Sequence, residues 1–267
     1  MKSRKLLYPY IVWMAIFVIV PLAMIVYYAF TDKNGAFTFD NLQFIAKNAS
    51  TYVDSLKIAL ISTAVCLILA YPLALIMSRM KVRTQKMMNM LIMLPMWMNF
   101  VLRICAWMLI LKPDGVLDSL LGVLGFGNNH IYQTETAIVI GIVYNYLPFM
   151  VLPIYTTMAK ISRSLIEAGQ DLGCNGFNVL RRIILPLSVP GVITGITMVF
   201  VPAASTFYIS TYLGGRFLIG DTIQSYYKGI GANNHIGSML ALVLMVIILI
   251  SMAIMNKFDS GEDSAIV

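Results

Sequence analysis

An all-α polytopic membrane protein with six transmembrane helices is the fold class this sequence predicts, and three observations predict it. The 267 residues are 59% hydrophobic and 12% charged, where ordinary globular chains carry about 25% charged residues. Six apolar runs, near 9–30, 56–78, 88–111, 136–158, 188–212 and 238–256, have the length of about 20 residues that crosses a bilayer as a helix. The net charge of +7 is partitioned by loop, which is a topological signal rather than a nucleic-acid one. Lys2, Arg4, Lys5, Arg79, Lys81, Arg83, Lys86, Lys160, Arg163, Arg181, Arg182 and Lys257 fall on one side of the expected topology. Only Lys33, Lys47, Lys112, Arg216 and Lys228 fall on the other. The positive-inside rule therefore puts both termini, and the loops after the second and fourth spans, in the cytoplasm. Residues 1–267 read as a single transmembrane domain.

The elements follow in order. The N-terminus has the basic start of a signal peptide, but its apolar run is too long and no A-x-A-like site follows. It is read as an uncleaved first span, with Pro21 inside it. In the polar outer loop 31–55, residues 39–47 (FDNLQFIAK) fit a short interfacial helix. Span two contains Pro72 and ends in a basic loop at Arg79. Span three carries Pro95, Trp97, Asn99 and Arg103. The stretch 122–130 (GVLGFGNNH) predicts turns or a short surface helix. Span four holds Tyr144, Asn145, Tyr146 and Pro148, with Pro153 further on. Span five contains Pro202, Phe207, Tyr208 and Tyr212, and a glycine-bearing outer loop through Asp221 follows. Span six is aliphatic, and the acidic tail after Lys257 is expected to be disordered. Prolines recur in five of the six spans. They suit helices that kink around a moving pore, although proline is commoner in membrane helices generally.

The loop 160–187 is the sizeable polar interruption with the most internal pattern. Ile161, Leu165, Ala168 and Leu172 recur on one helical face. Ser164 and Glu167 have capping-box spacing, with Ser162 as the other candidate cap. Gly173 can end this helix in the left-handed conformation, and Asn175 can cap a second one. In that second helix Phe177, Leu180 and Ile184 share a face, Arg181 and Arg182 suit its C-terminus, and Pro186 is expected to stop it. The result is a helix–turn–helix with an apolar side.

Catalytic chemistry is hard to find. The sequence has no Gly-Lys-Ser or Gly-Lys-Thr, no HExxH, no GxSxG and no paired carboxylates within a span. Cys66, Cys105 and Cys174 lie in two spans and one loop, so neither a disulfide framework nor a metal site is predicted. Arg103 is the one charge deep within a span. It reads either as a pore-lining group forming a polar stripe with Asn99, or as a structural group bonded to helix carbonyls or snorkelling outward. The aromatics Trp97, Tyr144, Tyr146, Phe207 and Tyr208 fit a cavity lining or ordinary packing and interfacial anchoring. Asn145 needs hydrogen-bond partners if buried.

These residues carry a resemblance. Glu167, Ala168, Gly173, Ile183, Leu185 and Pro186 fall at the places of the EAA loop of ABC-importer permeases, with Gly169 where that family usually has alanine. The replacement loosens the helix by up to about 1 kcal/mol. Further matches resemble the spermidine/putrescine, PotB-type permeases of that family: Pro95 to Asn99 with Arg103, Leu147 to Tyr155, and Tyr212 to Gly215 with Leu218 to Gly220. The resemblance implies the six-helix type I importer fold in a bacterial cytoplasmic membrane. It implies that Glu167, Ala168, Gly169, Asp171, Gly173, Phe177, Arg181 and Pro186 form the surface coupled to an ATPase. It also implies the partners: a second, PotC-type permease, two ATPase subunits that bind ATP and magnesium, and an extracytoplasmic polyamine-binding protein. This chain itself is expected to be no enzyme and to bind no cofactor. A polycationic cargo meets no carboxylate within the spans, so a weak pathway built on cation–π contacts of about 0.5–2 kcal/mol is expected. An importer for an anion, an ATP-independent carrier and a membrane scaffold are the competing readings.

Overall fold

The computed structural model describes residues 3–123, 131–228 and 232–263. Among them the regular elements are helical, apart from one isolated bridge between Thr31 and Phe37. Helix α1 (Ser3–Met14) passes through a π turn at Ala15–Ile19 into α2 (Val20–Ala29). Pro21 does not break this path, because the turn before it is wide: Val20 N–H donates to the carbonyl of Ala15, five residues back. The outer loop holds a 3₁₀ turn at Asp40–Leu42 and the short α3 (Gln43–Lys47), within the stretch expected to be an interfacial helix. The long α4 (Ala49–Arg79) follows.

The third expected span, 88–111, is not one helix. It is α5 (Val82–Met93), a 3₁₀ turn at Leu94–Trp97 and α6 (Phe100–Leu111), and the two segments meet at 89°. Pro95 cannot continue the α-helical hydrogen bonding. Met98 and Asn99 then take extended backbone angles, and the Asn99 side chain accepts from Val101 N at 2.9 Å to start a new helix. Helix α7 (Val116–Val123) ends this region. The rest of the stretch expected to form turns, 124–130, lies outside the described residues.

Helix α8 (Glu135–Ala159) crosses with Pro148 and Pro153 inside it. Then come α9 (Arg163–Asp171), α10 (Gly176–Val179), a π turn at Leu180–Ile184 and α11 (Leu185–Ala204). The continuous helix that carries the fifth crossing thus already starts at Gly176, within the loop 160–187, and it breaks after Ala204 before resuming as α12 (Tyr208–Leu213). Helix α13 (Ile219–Lys228) and the closing α14 (Asn234–Asp263) complete the order. Contrary to the expectation of a disordered tail, α14 continues through Asp263. By length and composition Pro9–Ala29, Ala49–Arg79, Glu135–Ala159, Gly176–Ala204 and Asn234–Met255 can each cross a membrane, and the bent pair makes up to six.

Helices α4, α8 and α11 form the centre of the bundle. One core cluster gathers Ile58, Ile104, Ile138, Ile142, Ala203 and Leu213, and a second gathers Ala74, Met77, Met150, Ile154, Met158 and Val179. Lipid is as apolar as leucine, so membrane helices associate by close packing, which small residues permit. At Gly195 a Cβ would stand 2.8 Å from the Met150 sulfur and 3.2 Å from its carbonyl oxygen. The apolar stretch of Pro9–Ala29, by contrast, is left exposed by the rest of the chain.

Candidate functional site

The loop after α8 folds as its local sequence dictates, with two departures. Ser162 stands in extended backbone just before α9 and forms no side-chain cap bond, while Ser164 Oγ donates to Ser162 Oγ at 3.1 Å. The Ser164–Glu167 capping box is thus not formed. Gly173 has φ +85, and its N–H donates to Gln170 O at 2.8 Å, while Cys174 N–H donates to Gly169 O at 3.0 Å. This pair of bonds is a Schellman cap. Asn175 Oδ1 accepts from Asn178 N at 2.8 Å and starts the next helix. Pro186 does not stop that helix. The π turn at Leu180–Ile184, with Leu185 N–H donating to Leu180 O, makes room for the proline ring, and the path continues into α11.

Helix α9 has two apolar faces. Ile166 and Gly169 face inward, towards Ile183 and the core cluster that holds Val179 and Ile184. A Cβ on Gly169 would stand 2.5 Å from Ile183 Cδ1, so glycine lets α9 settle onto the start of the fifth crossing. Of the face chosen from periodicity, Ile161, just ahead of α9, is half-buried against this core cluster, and the three members within or at the end of α9 point outward. Leu165 and Ala168 are exposed, Leu172 is 87% exposed and Phe177 is 67% exposed. Glu167, Asp171, Gly173, Arg181 and Pro186 are exposed as well, and Gly169 is buried. Ile166 was missed by sequence reasoning, although its three-residue spacing from Gly169 carries the signal.

The residues named within the spans do not all converge. Trp97 is exposed in the 3₁₀ turn. Asn99 is a helix cap on an exposed turn and Arg103 is buried, so the two form no common polar stripe. Tyr144 rests edge-on against Trp107 at 5.3 Å. Tyr146, Phe207 and Tyr208 do converge, lining with Phe100, Pro202, Ser205 and Thr206 a recess of about 150 Å³ at the break in the fifth crossing. Broken helix is tolerated at membrane depth where it is buried in protein or lines a cavity. Arg103, 8% exposed, lies 5.7 Å from the Phe100 ring centroid, and its Nε and Nη1 have no hydrogen-bond partner among the described residues. Asn145 donates to Gly141 O at 2.8 Å, and its Oδ1 is likewise buried without a partner.

The break is pinned from outside by a residue the sequence did not single out as functional. Asp221 is buried and accepts from Ser210 Oγ and Thr211 Oγ1, each at 2.5 Å, and from Leu218 N at 2.8 Å. Burial raises its carboxyl above the usual value against the opposing pull of these bonds. Ser55 Oγ on α4 accepts from Ile219 N at 2.8 Å. Gly220 lies against the break itself, where a Cβ would stand 2.4 Å from Thr206 O. Beside it Arg216 bridges Asp54, at 2.8 Å, and Glu135, while Lys57 reaches Glu135 at 3.6 Å.

A helical bundle with broken third and fifth crossings and an exposed helix–turn–helix between its fourth and fifth crossings has the fold of importer permeases. It superposes on a chain of a bacterial ABC transporter involved in the import of the acidic polysaccharide alginate, with a TM-score of 0.76 at 19% identity, covering 97% of this chain and 96% of that one. For a chain of the inward-facing MetNI methionine ABC transporter the TM-score is 0.61 at 14% identity, covering 83% and 98%. Sequence takes the assignment further. Residues 70–261 match the family described as binding-protein-dependent transport system inner membrane component, and the chain belongs to that family. It is 34% identical to the spermidine/putrescine transport system permease protein PotB of Haemophilus influenzae, over 88% of this chain and 86% of that protein. Against the protein of the same name from Escherichia coli K12 the identity is 33%, over 88% and 92%.

Proposed function

We propose that this chain is the permease subunit of an ATP-driven importer for polyamines, spermidine and putrescine, and supplies half of the translocation pathway. The observation that carries the reading is the 33–34% identity to polyamine permeases over 88% of the chain. The orientation follows from the basic loops: both termini and the α9 region are cytoplasmic. There the exposed Leu165, Leu172 and Phe177 are the apolar surface that docks on an ATPase subunit, with Glu167, Asp171 and Arg181 as its charged rim. A second permease completes the pathway, and an extracytoplasmic binding protein delivers the cargo.

Cargo passes the recess of Tyr146, Phe207 and Tyr208, where cation–π contacts of about 0.5–2 kcal/mol hold an ammonium group weakly enough to release it. Selectivity then lies with the binding protein. The buried Arg103, which has no acidic partner among the described residues, favours a second reading, an anionic cargo. Radiolabelled spermidine uptake by the assembled complex separates them. Competition by putrescine and indifference to oxyanions are expected, and the reverse pattern overturns the polyamine reading. Micromolar binding of spermidine by the permease pair alone would overturn the weak pathway.

A further inference from the structure

We infer that the cavity between α9 and the cytoplasmic end of α4 is a binding site for a phosphate oxyanion, drawn from an acidic phospholipid headgroup or from free phosphate. The cavity measures about 260 Å³ and is lined by Arg79, Arg163, Ile166, Glu167, Gln170 and Ile184. Arg79 is the last residue of α4 and Arg163 the first of α9, so two separate elements bring their guanidinium groups to one space. Arg79 Nη2 is buried there with no hydrogen-bond partner among the described residues. A buried donor without an acceptor is costly, and one beside a like charge more so. The cavity is therefore suited to an anion.

Glu167 stands in the same wall but forms no ion pair with either arginine among the described residues. It is exposed, on the side of α9 assigned above to docking. Two arginines against one carboxylate leave the cavity net positive. The guanidinium fork matches phosphate oxygens in pairs, and the Gln170 amide supplies a further donor. Basic pockets between helices on the cytoplasmic side bind acidic headgroups in this way. The site takes its side of the membrane from the orientation proposed above, but it does not depend on the identity of the cargo.

The test uses the full importer complex in neutral detergent, titrated separately with phosphatidylglycerol, phosphatidylcholine and inorganic phosphate, with adducts counted by native mass spectrometry. One phosphatidylglycerol adduct is expected, absent with phosphatidylcholine and weakened about tenfold or more by Arg163→Gln. Arg163 is exposed, so this variant assembles even if Arg79→Gln does not. An arginine-dependent adduct with inorganic phosphate, and none with phosphatidylglycerol, keeps the site and identifies free phosphate as its source. Adducts indifferent to Arg163→Gln overturn the inference. So does a complex that takes up neither anion while position 163 crosslinks to an acidic side chain of the ATPase subunit.

Discussion

Replacing Gly173 by valine isolates the turn that holds the exposed surface of α9 against the start of the fifth crossing. Gly173 has φ +85, and nothing lies within 4 Å of the place its Cβ would occupy. Crowding therefore contributes nothing, and the whole cost is backbone strain, about 1–2 kcal/mol for an L-residue held in the left-handed region. At 1.4 kcal/mol per factor of ten, the capped turn becomes about 5- to 30-fold less favoured. Its two bonds, Cys174 N to Gly169 O and Gly173 N to Gln170 O, weaken together. Because Gly173 is exposed and its Cβ would meet no neighbour, insertion and melting temperature should stay near wild type. The assay is cargo uptake per ATP hydrolysed in proteoliposomes of the assembled complex, with Gly173→Asn as the control that tolerates this conformation. Valine should lose coupling and asparagine keep most of it. Gly173→Pro should be worse than either, since it fixes φ near −65° and removes the N–H given to Gln170. Normal coupling in Gly173→Val would refute the role assigned to the turn.

Three further outcomes are expected. Phe177→Ala, at a ring 67% exposed, should leave the melting temperature unchanged and weaken ATPase association by about 1–2 kcal/mol, roughly the value of burying that exposed fraction. A pull-down at fixed ATPase concentration reads this directly. Gly220→Ala places a Cβ 2.4 Å from Thr206 O and 2.7 Å from Ser205 O, both backbone atoms that cannot swing away. It should destabilise the protein by about 1–3 kcal/mol, seen as a lower melting temperature. Asp221 has a carboxyl raised above 3.8 by burial. A pKa raised in the folded state means that its contribution to stability is complete below the unfolded value and is lost as pH rises through the folded one. Wild type should therefore lose stability relative to Asp221→Asn as pH rises above the ordinary aspartate value of about 4. Parallel melting profiles for the two proteins would contradict this.

How much of the site was legible depended on how local its physics is. Gly173 and Asn175 could be read because a left-handed cap and a side-chain cap are settled within a few residues. The inner face of α9 could not. Ile161, Leu165, Ala168 and Leu172 have good helical periodicity, and so does the pair Ile166 and Gly169; only the position of Ile183, brought in by the next helix, chooses between them. Asn99 in an apolar run looked like a pore residue. Pro95 broke the span just ahead of it, and the same side chain became a cap. Pro186 looked like a stop and proved to be a continuation, because nothing in composition announces a π turn.

The sequence by itself determined the apolar runs, the distribution of charge between loops and the spacing of the α9–α10 motif. Bilayer thickness, the positive-inside rule and helix capping each act on short stretches of chain. Only the tertiary structure decided that the third crossing bends by 89° and that the fifth breaks at Ser205–Phe207. It alone brought Asp221 to Ser210 and Thr211, and Arg79 to Arg163. Those outcomes depend on which side chains meet across helices far apart in the chain, and a one-dimensional pattern does not record such meetings. The turn of one loop is written in its own few residues; the breaks in the crossings are made by packing.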